Sequence, residues 1–386
     1  MSVPVILPRI MEVGANASAR LPDVLASLKC SRPLIVTDKT MVKLGQAQRL
    51  HGILEAQGIR AEVFDDTVPE PTAASIQAGV DRLRSGDFDA IVALGGGSPI
   101  DSAKAMAILA RYGGVIRDYR FPRQVNEAGL PLIAIPTTAG TGSEVTRFTI
   151  ITDETTDEKL LCAGIGFMPI AALIDYTLTL SLPARTTADT GIDAITHAIE
   201  AYVSRKANPY SDSQALAALA YLGPNLLIAC QDGKNESARE AMMIGATLAG
   251  IAFSAASVAL VHGMSRPIGA FFHVPHGLSN AMLLPSLTAW SLSAAPSRYA
   301  QCAKALCVAD SHDDDATAGQ KLIAFLTRIN AELSVPTLAD VGVERARFDE
   351  VINIMAEQAL ASGSPGNNPR VPTVPEMVAL YRALWD

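Results

Sequence analysis

The chain has 386 residues, of which 49% are hydrophobic and 18% are charged, and its net charge at pH 7 is −8. This composition is typical of a globular protein and excludes a disordered chain, while the acidic balance argues against a nucleic-acid partner. A chain of this length exceeds one ordinary hydrophobic core, so we expect two domains.

The N-terminal segment lacks the basic start and the long apolar core of a secretory signal peptide. The cysteines follow no framework and no CxxC spacing, which favours reduced thiols. They are Cys30, Cys162, Cys230, Cys302 and Cys307. We therefore expect a cytoplasmic protein.

The first half of the chain alternates strand and helix patterns. Helices are predicted at 39–57 and 71–86, and a strand, a glycine loop and a helix are predicted in turn over 88–113. Further strands are predicted at 33–38, 59–64, the start of 131–146, 148–153 and 171–176. This alternation predicts an α/β domain with a mostly parallel sheet covered by helices.

A glycine-rich turn, GGGSPIDSAK at 95–104, follows the strand and opens the helix. Glycines let a backbone approach a phosphate, and a helix N-terminus offers free N–H groups and the positive end of the dipole. The spacing matches neither GxGxxG nor GxxxxGK[ST], so phosphate binding and a plain tight turn both stay open.

A second loop of hydroxyls and glycines, TTAGTGSE at 137–144, also follows a strand, and two such loops strengthen the prediction of a nucleotide site. Asp38 ends the strand PLIVTD. An acid there can accept hydrogen bonds from ribose hydroxyls and would repel a 2′-phosphate, which favours NAD over NADP. The alternative is that Asp38 caps the next helix.

From about residue 187 the pattern is helical, which predicts an all-α domain. Helices are predicted at 187–204, 211–230, 236–261, 295–308, 315–333, 347–361 and 375–385. We place the boundary at Pro183, with an α/β domain at 1–182 and a helical domain at 183–386.

The uncharged stretch 241–261 is long enough to span a bilayer. It has no basic flank or aromatic belt, so we interpret it as a buried helix.

A candidate metal site lies in this helical half. Asp193 and His197 are four residues apart and share one helix face, and His262 and His276 follow downstream. Each histidine alone would more often be a hydrogen-bonded core residue. One carboxylate with three neutral imidazoles suits a divalent transition metal, and the grouping favours that interpretation.

Four motifs resemble the iron-dependent (group III) alcohol dehydrogenase family, and the resemblance runs end to end. They are GGGSPIDSAK at 95–104, PTTAGTGSEVT at 136–146, GIDAITHAIEAYVS at 191–204 and HGMSRPIGAFFHVPHGLSNAMLLP at 262–285. The resemblance implies a dehydroquinate-synthase-like architecture, with a Rossmann-like N-terminal domain, a helical C-terminal domain and an active site in the cleft between them. It also suggests a homodimer or larger assembly, and because residues 241–261 are interpreted as a buried helix we expect no membrane partner.

The same resemblance implies Fe²⁺ on Asp193, His197, His262 and His276, with Zn²⁺ as the alternative because these ligands suit both ions. It implies NAD as cofactor, with NADP as the alternative. The cofactor residues that it implies are Asp38, Gly95, Gly96, Gly97, Ser98, Asp101, Thr137, Thr138, Ser143 and Lys159.

The implied reaction is hydride transfer between NAD(H) and a small primary alcohol or aldehyde, with the metal polarising the substrate oxygen.

Many family members carry a histidine where this chain has Arg266. A guanidinium can bind an anionic group, which suggests an anionic semialdehyde or hydroxy acid as substrate. The favoured alternative is a salt bridge outside the pocket. His273 is a candidate for the role of the replaced histidine, and its alternative is a cleft-lining residue that titrates near neutrality.

Three competing functions stay open. A dehydroquinate-synthase-like lyase would need several basic residues for a substrate phosphate, and the helical half has no such cluster. A glycerol-dehydrogenase-like zinc polyol dehydrogenase is the nearest rival among dehydrogenases. A non-catalytic NAD-binding protein would not need all four metal-ligand positions to be present.

Overall fold

A computed structural model describes residues 3–385 and divides them into two compact units. The first unit is Ile6–Ser181, and the second begins at Leu182 and includes residues 3–5. Each unit has its own set of secondary-structure elements.

The first unit is an α/β layer structure. Its strands are β1 (Ile10–Val13), β2 (Pro33–Val36), β3 (Glu62–Phe64), β4 (Ala90–Gly95), β5 (Leu132–Pro136), β6 (Phe148–Asp153), β7 (Glu158–Ala163) and β8 (Ala171–Ile174). Its helices are α1 (Leu21–Ser27), α2 (Lys39–Lys43), α3 (Gln46–Glu55), α4 (Ala73–Ser85) and α5 (Gly97–Tyr112). The main sheet has six parallel strands in the order β1-β8-β5-β4-β2-β3, which confirms the predicted fold class.

Alternate side chains of the central strands fill two separate cores, because successive strand residues point to opposite faces. Ile91 and Ala93 of β4 pack with Ile76 of α4 and Ile100 of α5. Val92 and Leu94 pack on the other face with residues of α1 and α3. Every residue of β4 is buried, as a parallel strand covered on both faces requires. Strands β4 and β5 are parallel neighbours, so their carboxyl ends lie side by side. The two glycine-rich loops follow those ends.

Three details of the α/β unit differ from the sequence prediction. The predicted helix 39–57 is two helices, since Gly45 has a φ of 74° and separates α2 from α3. Strand β6 lies outside the main sheet and pairs antiparallel with β7. The strands β1 and β7 were not predicted, because their short segments IMEV and EKLLCA include charged residues and give a weak apolar signal.

The second unit is built of helices. They are α6 (Ala184–Val203), α7 (Pro209–Gln231), α8 (Glu236–Ala256), α9 (Leu260–Phe272), α10 (His276–Ser291), α11 (Pro296–Ala305), α12 (Asp315–Glu332), α13 (Arg345–Ala361) and α14 (Val374–Arg382). Every residue from Gly191 to Val203 in α6 is buried, and α6 packs against α7, α8 and α10. A Cβ on Gly191 would lie 2.4 Å from Leu226 Cδ1, so this glycine allows α6 to approach α7 closely.

The region 236–276 differs most from the prediction. The predicted helix 236–261 ends at Ala256, where Ser257 has a φ of 66°, and α9 begins at Leu260 with its axis turned by 102°. The segment between His262 and His276, where no helix was predicted, is mostly helical. Gly263, Pro267 and Gly269 weakened the helical signal there, although buried neighbours stabilise the helix.

By length and composition alone, α7 could cross a membrane, and α8 with α9 passes the same test only as a strongly bent pair. Core helices of soluble proteins also pass this test, so it is weak support for a membrane span. The residues 241–261, predicted as one buried helix, are divided between α8 and α9 and are mostly buried.

Candidate metal centre and nucleotide-binding loops

Three helices of the second unit bring together the predicted metal ligands. Asp193 and His197 lie one turn apart on α6, His262 is in the first turn of α9, and His276 is the first residue of α10. One atom from each of these side chains lies within 4.8 Å of the others. One carboxylate oxygen and three imidazole nitrogens thus converge on a single point.

The distances within this centre are short enough for one ion to contact all four side chains. Asp193 Oδ1 is 3.4 Å from His262 Nε2 and 3.8 Å from His276 Nε2. The ring of His197 stacks on that of His262, with centroids 4.3 Å apart, and on its other side it stacks on Phe253. Phe253 therefore fixes the plane of His197 and gives the centre an apolar wall.

Two glycines let the ligand-bearing helices approach their neighbours. A Cβ on Gly263 would lie 2.7 Å from Pro365, and one on Gly277 would lie 2.6 Å from the carbonyl oxygen of Asp189. Real side chains do not approach so closely. The glycine after each histidine is thus explained by packing against α6 and against the turn that follows α13.

The centre is buried except at His276, whose side chain is 30% exposed. Burial raises the pKa of the Asp193 carboxyl, but the three histidines outweigh that effect and hold the pKa below its ordinary value. Burial lowers the pKa of His262, but Glu200 and Asp193 outweigh it and raise that pKa. Asp193 is therefore ionised at neutral pH, and His276 marks the side from which a small molecule can reach the centre.

Glu200 belongs to this centre and was not predicted. It is buried, its Oε1 accepts the N–H of Val261 at 2.6 Å, and its Oε2 lies 2.6 Å from His262 Nδ1. A carboxylate there accepts a hydrogen bond from the Nδ1–H group, so the Nε2 lone pair of His262 faces the other ligands. The sequence did contain a signal, because Asp193, His197 and Glu200 follow the spacing of one helix face.

Asn280 is a second residue that sequence reasoning missed. It is fully buried on α10, and its Nδ2 lies 2.7 Å from Asp193 Oδ1, 3.1 Å from His262 Nε2 and 3.2 Å from His276 Nε2. Its Oδ1 is buried and has no hydrogen-bond partner among residues 3–385. The amide thus contacts three of the four ligands, and its position four residues after His276 is the helical spacing that could have indicated it.

The donor set of this centre fits a divalent transition metal. Asp193 supplies one oxygen and the histidines supply three nitrogens, a mixture that suits Fe²⁺ and Zn²⁺ alike. In a second group, Asp310 and His312 are exposed and Asp313 is partly buried. Both of its acids already pair with Lys321, so it reads as a surface ion-pair network.

Arg266 and His273, the two residues proposed from the sequence for the substrate pocket, have different surroundings. Arg266 is buried with 8% exposure, and its Nη1 donates to Ser364 Oγ at 2.9 Å. No carboxylate oxygen lies within 4.0 Å of its guanidinium in the part of the chain that the structure describes. The favoured prediction of a salt bridge outside the pocket is therefore wrong, because the side chain points into the protein and meets a hydroxyl. His273 is exposed and ends α9 with a φ of 55°.

The first glycine loop leads directly into α5. Gly96 precedes the helix and offers no capping side chain, so the first N–H groups of the helix stay available for an anion. A Cβ on Gly96 would lie 3.2 Å from Thr138, and one on Gly97 would lie 2.8 Å from Thr141. The glycines therefore allow the two loops to pack against each other.

Polar contacts also join these loops. The Ser143 hydroxyl donates to Asp101 Oδ1 at 2.6 Å, and the N–H of Thr137 donates to the Gly95 carbonyl at 3.0 Å. Thr137 Oγ1 is buried without a hydrogen-bond partner in the described chain. Asp101 and Ser143 thus hold the loops together, while Thr137 has a hydroxyl free for a ligand.

The remaining predicted cofactor residues make contacts of their own. Asp38 caps α2, accepting the N–H groups of Thr40 and Met41 at 2.8 and 2.9 Å, which is the alternative that the sequence left open. Lys159 on β7 pairs with Glu70. The N–H of Glu70 lies 3.3 Å from Ser98 Oγ, so Lys159 and Ser98 approach the same short segment.

Two family models match the chain. The model described as "Iron-containing alcohol dehydrogenase" matches residues 8–176, and the model described as "Fe-containing alcohol dehydrogenase family, C-terminal" matches residues 187–385. Together they cover both compact units and include the two glycine loops and all four candidate ligands.

Individual relatives match over nearly the whole length. Alcohol dehydrogenase 4 of Saccharomyces cerevisiae is 35% identical over 381 residues, which are 98% of this chain and 98% of the yeast protein. A crystal structure of 1,3-propanediol oxidoreductase superposes with a TM-score of 0.94, 34% identity and complete coverage of both chains. A sulfoacetaldehyde reductase from Bifidobacterium kashiwanohense, solved in complex with NAD⁺, superposes with a TM-score of 0.88 and 28% identity, covering 100% of this chain and 99% of the other.

Proposed function

The chain belongs to the iron-containing alcohol dehydrogenase family, and on that premise we propose that it interconverts a small primary alcohol and its aldehyde, with NAD(H) and Fe²⁺ as cofactors. Membership makes the chain a metal-dependent oxidoreductase that acts on alcohol CH–OH donors. The observation that carries the proposal is the convergence of Asp193, His197, His262 and His276 beside Glu200 and Asn280.

Bound at these sites, a divalent ion supplies a Lewis acid for the substrate oxygen, and the dinucleotide supplies the carrier of the hydride. The side chains around the centre hold and orient the ligand set. Asp193 brings the one negative charge of the ligand set, and Glu200 holds the proton on His262 Nδ1. Asn280 donates to Asp193 and fixes its orientation. Because the centre is buried on all sides except at His276, water has little access to the reacting atoms.

NAD is the proposed dinucleotide. Its phosphates would lie at the N-terminus of α5, where no side chain caps the first N–H groups and Thr137 offers its hydroxyl. The negative charge of Asp38 disfavours the 2′-phosphate of NADP. The sulfoacetaldehyde reductase relative was solved with NAD⁺, which supports the same choice.

The metal is proposed as Fe²⁺, with Zn²⁺ as the second candidate because the ligand chemistry suits both. Reconstituting the metal-stripped protein anaerobically with either ion, one at a time, tests this choice. NADH oxidation that returns with Fe²⁺ supports the proposal, whereas a rate restored by Zn²⁺ alone assigns the chain to the zinc enzymes.

A homodimer located in the cytoplasm completes the proposal. Strand β1 lies at one edge of the sheet and pairs with β8, and the α/β unit exposes Leu7 just before this strand and Val13 at its end. An open edge next to exposed apolar residues is a common surface for pairing with a second chain. Light scattering on the purified protein measures the assembly directly, and a monomer mass would contradict this part of the proposal.

The test of the proposed function combines metal analysis with an activity screen. Anaerobically purified protein is expected to hold one metal ion per chain and to oxidise NADH with small neutral aldehydes, followed at 340 nm. His262→Ala is expected to lose both the metal and the rate. His312→Ala is the matched control, because it removes an exposed histidine from the second group, Asp310, His312 and Asp313. Metal loss in the control variant alone, or full metal content in His262→Ala, contradicts the proposal.

A further inference from the structure

We propose that Arg266 forms an anion subsite beside the metal centre and that the substrate is a small aldehyde or alcohol carrying a carboxylate or sulfonate group. This inference rests on the proposed oxidoreductase function, because it concerns the second end of the same substrate. It would explain why a buried guanidinium stands next to a centre that binds a substrate oxygen.

The position of Arg266 follows from helix geometry. It lies one turn after His262 on α9, and residues four apart share a helix face. Its guanidinium also lies near enough to Glu200 for the two charges to interact, and Glu200 contacts His262. Arg266 is therefore a neighbour of the metal centre within the helical unit.

The guanidinium of Arg266 has most of its hydrogen-bonding capacity unused. Nη1 donates to Ser364, and Nε is buried without a partner in the described part of the chain. Arg239, also buried in this unit, shows the contrast, because its Nε, Nη1 and Nη2 donate to Gly233, Thr187 and Leu182. The Nε–Nη2 edge of Arg266 has the planar geometry that binds a carboxylate or sulfonate through two oxygens.

Charge balance points to the same kind of ligand. Burial lowers the pKa of Arg266 to about 10, with Glu200 opposing the shift, so the side chain is cationic at neutral pH. Glu200 does not neutralise it by direct contact, since its oxygens are bound to Val261 and His262. With a divalent ion present, the two carboxylates Asp193 and Glu200 leave one net positive charge in a buried region. A buried cation without an anionic partner is costly, and an anionic substrate would remove that cost.

The alternative is that Arg266 has only a structural role, in which its hydrogen bond to Ser364 holds α9 against the turn that follows α13. Both roles predict some loss of stability on substitution, so stability cannot separate them. Selectivity between substrates separates them, because a structural tie affects a charged and a neutral aldehyde alike. The comparison therefore needs two aldehydes of the same length that differ in charge.

The experiment uses the metal-loaded protein with NADH and measures kcat/KM for 4-oxobutanoate, 3-oxopropanesulfonate and the neutral 4-oxobutanamide. The wild type is expected to prefer the anions. In Arg266→Met that preference is expected to fall about 10- to 100-fold, the range for a hydrogen bond to a charged group, while the amide changes little. Arg266→Lys should keep part of it. The control is Arg328→Met, which removes an exposed arginine of the same unit.

Calorimetry supplies a readout that does not need turnover. Butanoate is titrated into the wild type and into each variant, with binding expected in the wild type and lost in Arg266→Met. If Arg266→Met does not fold, the selectivity of the wild type and its butanoate binding decide the matter. Equal rates with anion and amide in the wild type, or equal losses in the variant, overturn the anion subsite. Absence of reduction with every aldehyde overturns the proposed function instead.

Discussion

Glu200 Oε2 lies 2.6 Å from His262 Nδ1, so a buried carboxylate fixes which nitrogen of a candidate metal ligand carries the proton. The same carboxylate accepts the N–H of Val261 in the first turn of α9. One side chain on α6 thus orients both the imidazole and the start of the helix that bears it. This relationship leads to the first two predictions.

Replacing Glu200 by alanine is expected to weaken metal binding about 10- to 100-fold, because His262 loses the group that orients its ring. Glu200→Gln should recover part of the loss, since an amide oxygen can still accept one of the two N–H groups. Competition with a chelator measures the affinity. Glu357→Gln, an exposed site on α13, is the control, and an unchanged affinity in Glu200→Ala would remove Glu200 from the centre.

Metal retention is expected to depend on pH through His262. Burial lowers the pKa of His262, but the opposite effect of Glu200 and Asp193 is larger and raises this pKa above that of a free imidazole. The ring therefore takes up a proton at a higher pH than a free imidazole does. A protonated ring cannot bind metal, so affinity is present at high pH and falls as the pH drops through this raised pKa. In Glu200→Gln the fall should move to lower pH. Chelator competition from about pH 5 to 8 follows it, and a midpoint that stays or rises would contradict the prediction.

Asn280 is expected to act on Asp193 in a charge-dependent way. Asn280→Asp places a second carboxylate where Nδ2 now lies 2.7 Å from Asp193 Oδ1, and two such charges repel unless a cation separates them. The metal-free variant should therefore melt at a lower temperature than the metal-free wild type and gain more from added metal. Scanning calorimetry with and without the ion measures both shifts, and an equal gain in both proteins would refute the idea.

Gly277→Ala is expected to move His276 away from the other ligands. The added Cβ would lie 2.6 Å from the backbone oxygen of Asp189, which cannot yield without shifting α6 or α10. Overpacking of this kind costs about 1–3 kcal/mol of stability, and metal affinity should fall with it. Gly52→Ala is the matched control, since that helical glycine has nothing within 4 Å of an added Cβ. A normal metal content in Gly277→Ala would show that the helices can yield.

Helical periodicity was enough to place Asp193 and His197 on one face, because both lie in one uninterrupted helix. It gave no means of bringing His262 and His276 to that face, since this depends on the 102° turn between α8 and α9. That turn rests on the backbone of residues 257–259, where Ser257 adopts a positive φ without a glycine to indicate it. The family resemblance, and not the spacing, supplied the full ligand set.

The parallel sheet was predictable for a similar reason. Its central strands are continuous apolar runs between helical segments, and that pattern is typical of a sheet covered on both faces. The charged strands β1 and β7 escaped prediction because their pairing depends on distant partners. Glu200 and Asn280 escaped because glutamate and asparagine on a helix are ordinarily surface residues, and only the tertiary structure reveals their burial.

The two sets of candidate binding residues come from non-overlapping stretches of the chain. The nucleotide set falls between Asp38 and Lys159, and the metal set falls between Asp193 and Asn280. Each set is internally connected, the first through Asp101 and Ser143 and the second through Glu200 and Asn280. A substitution that alters one of these sets therefore leaves every residue of the other set in place.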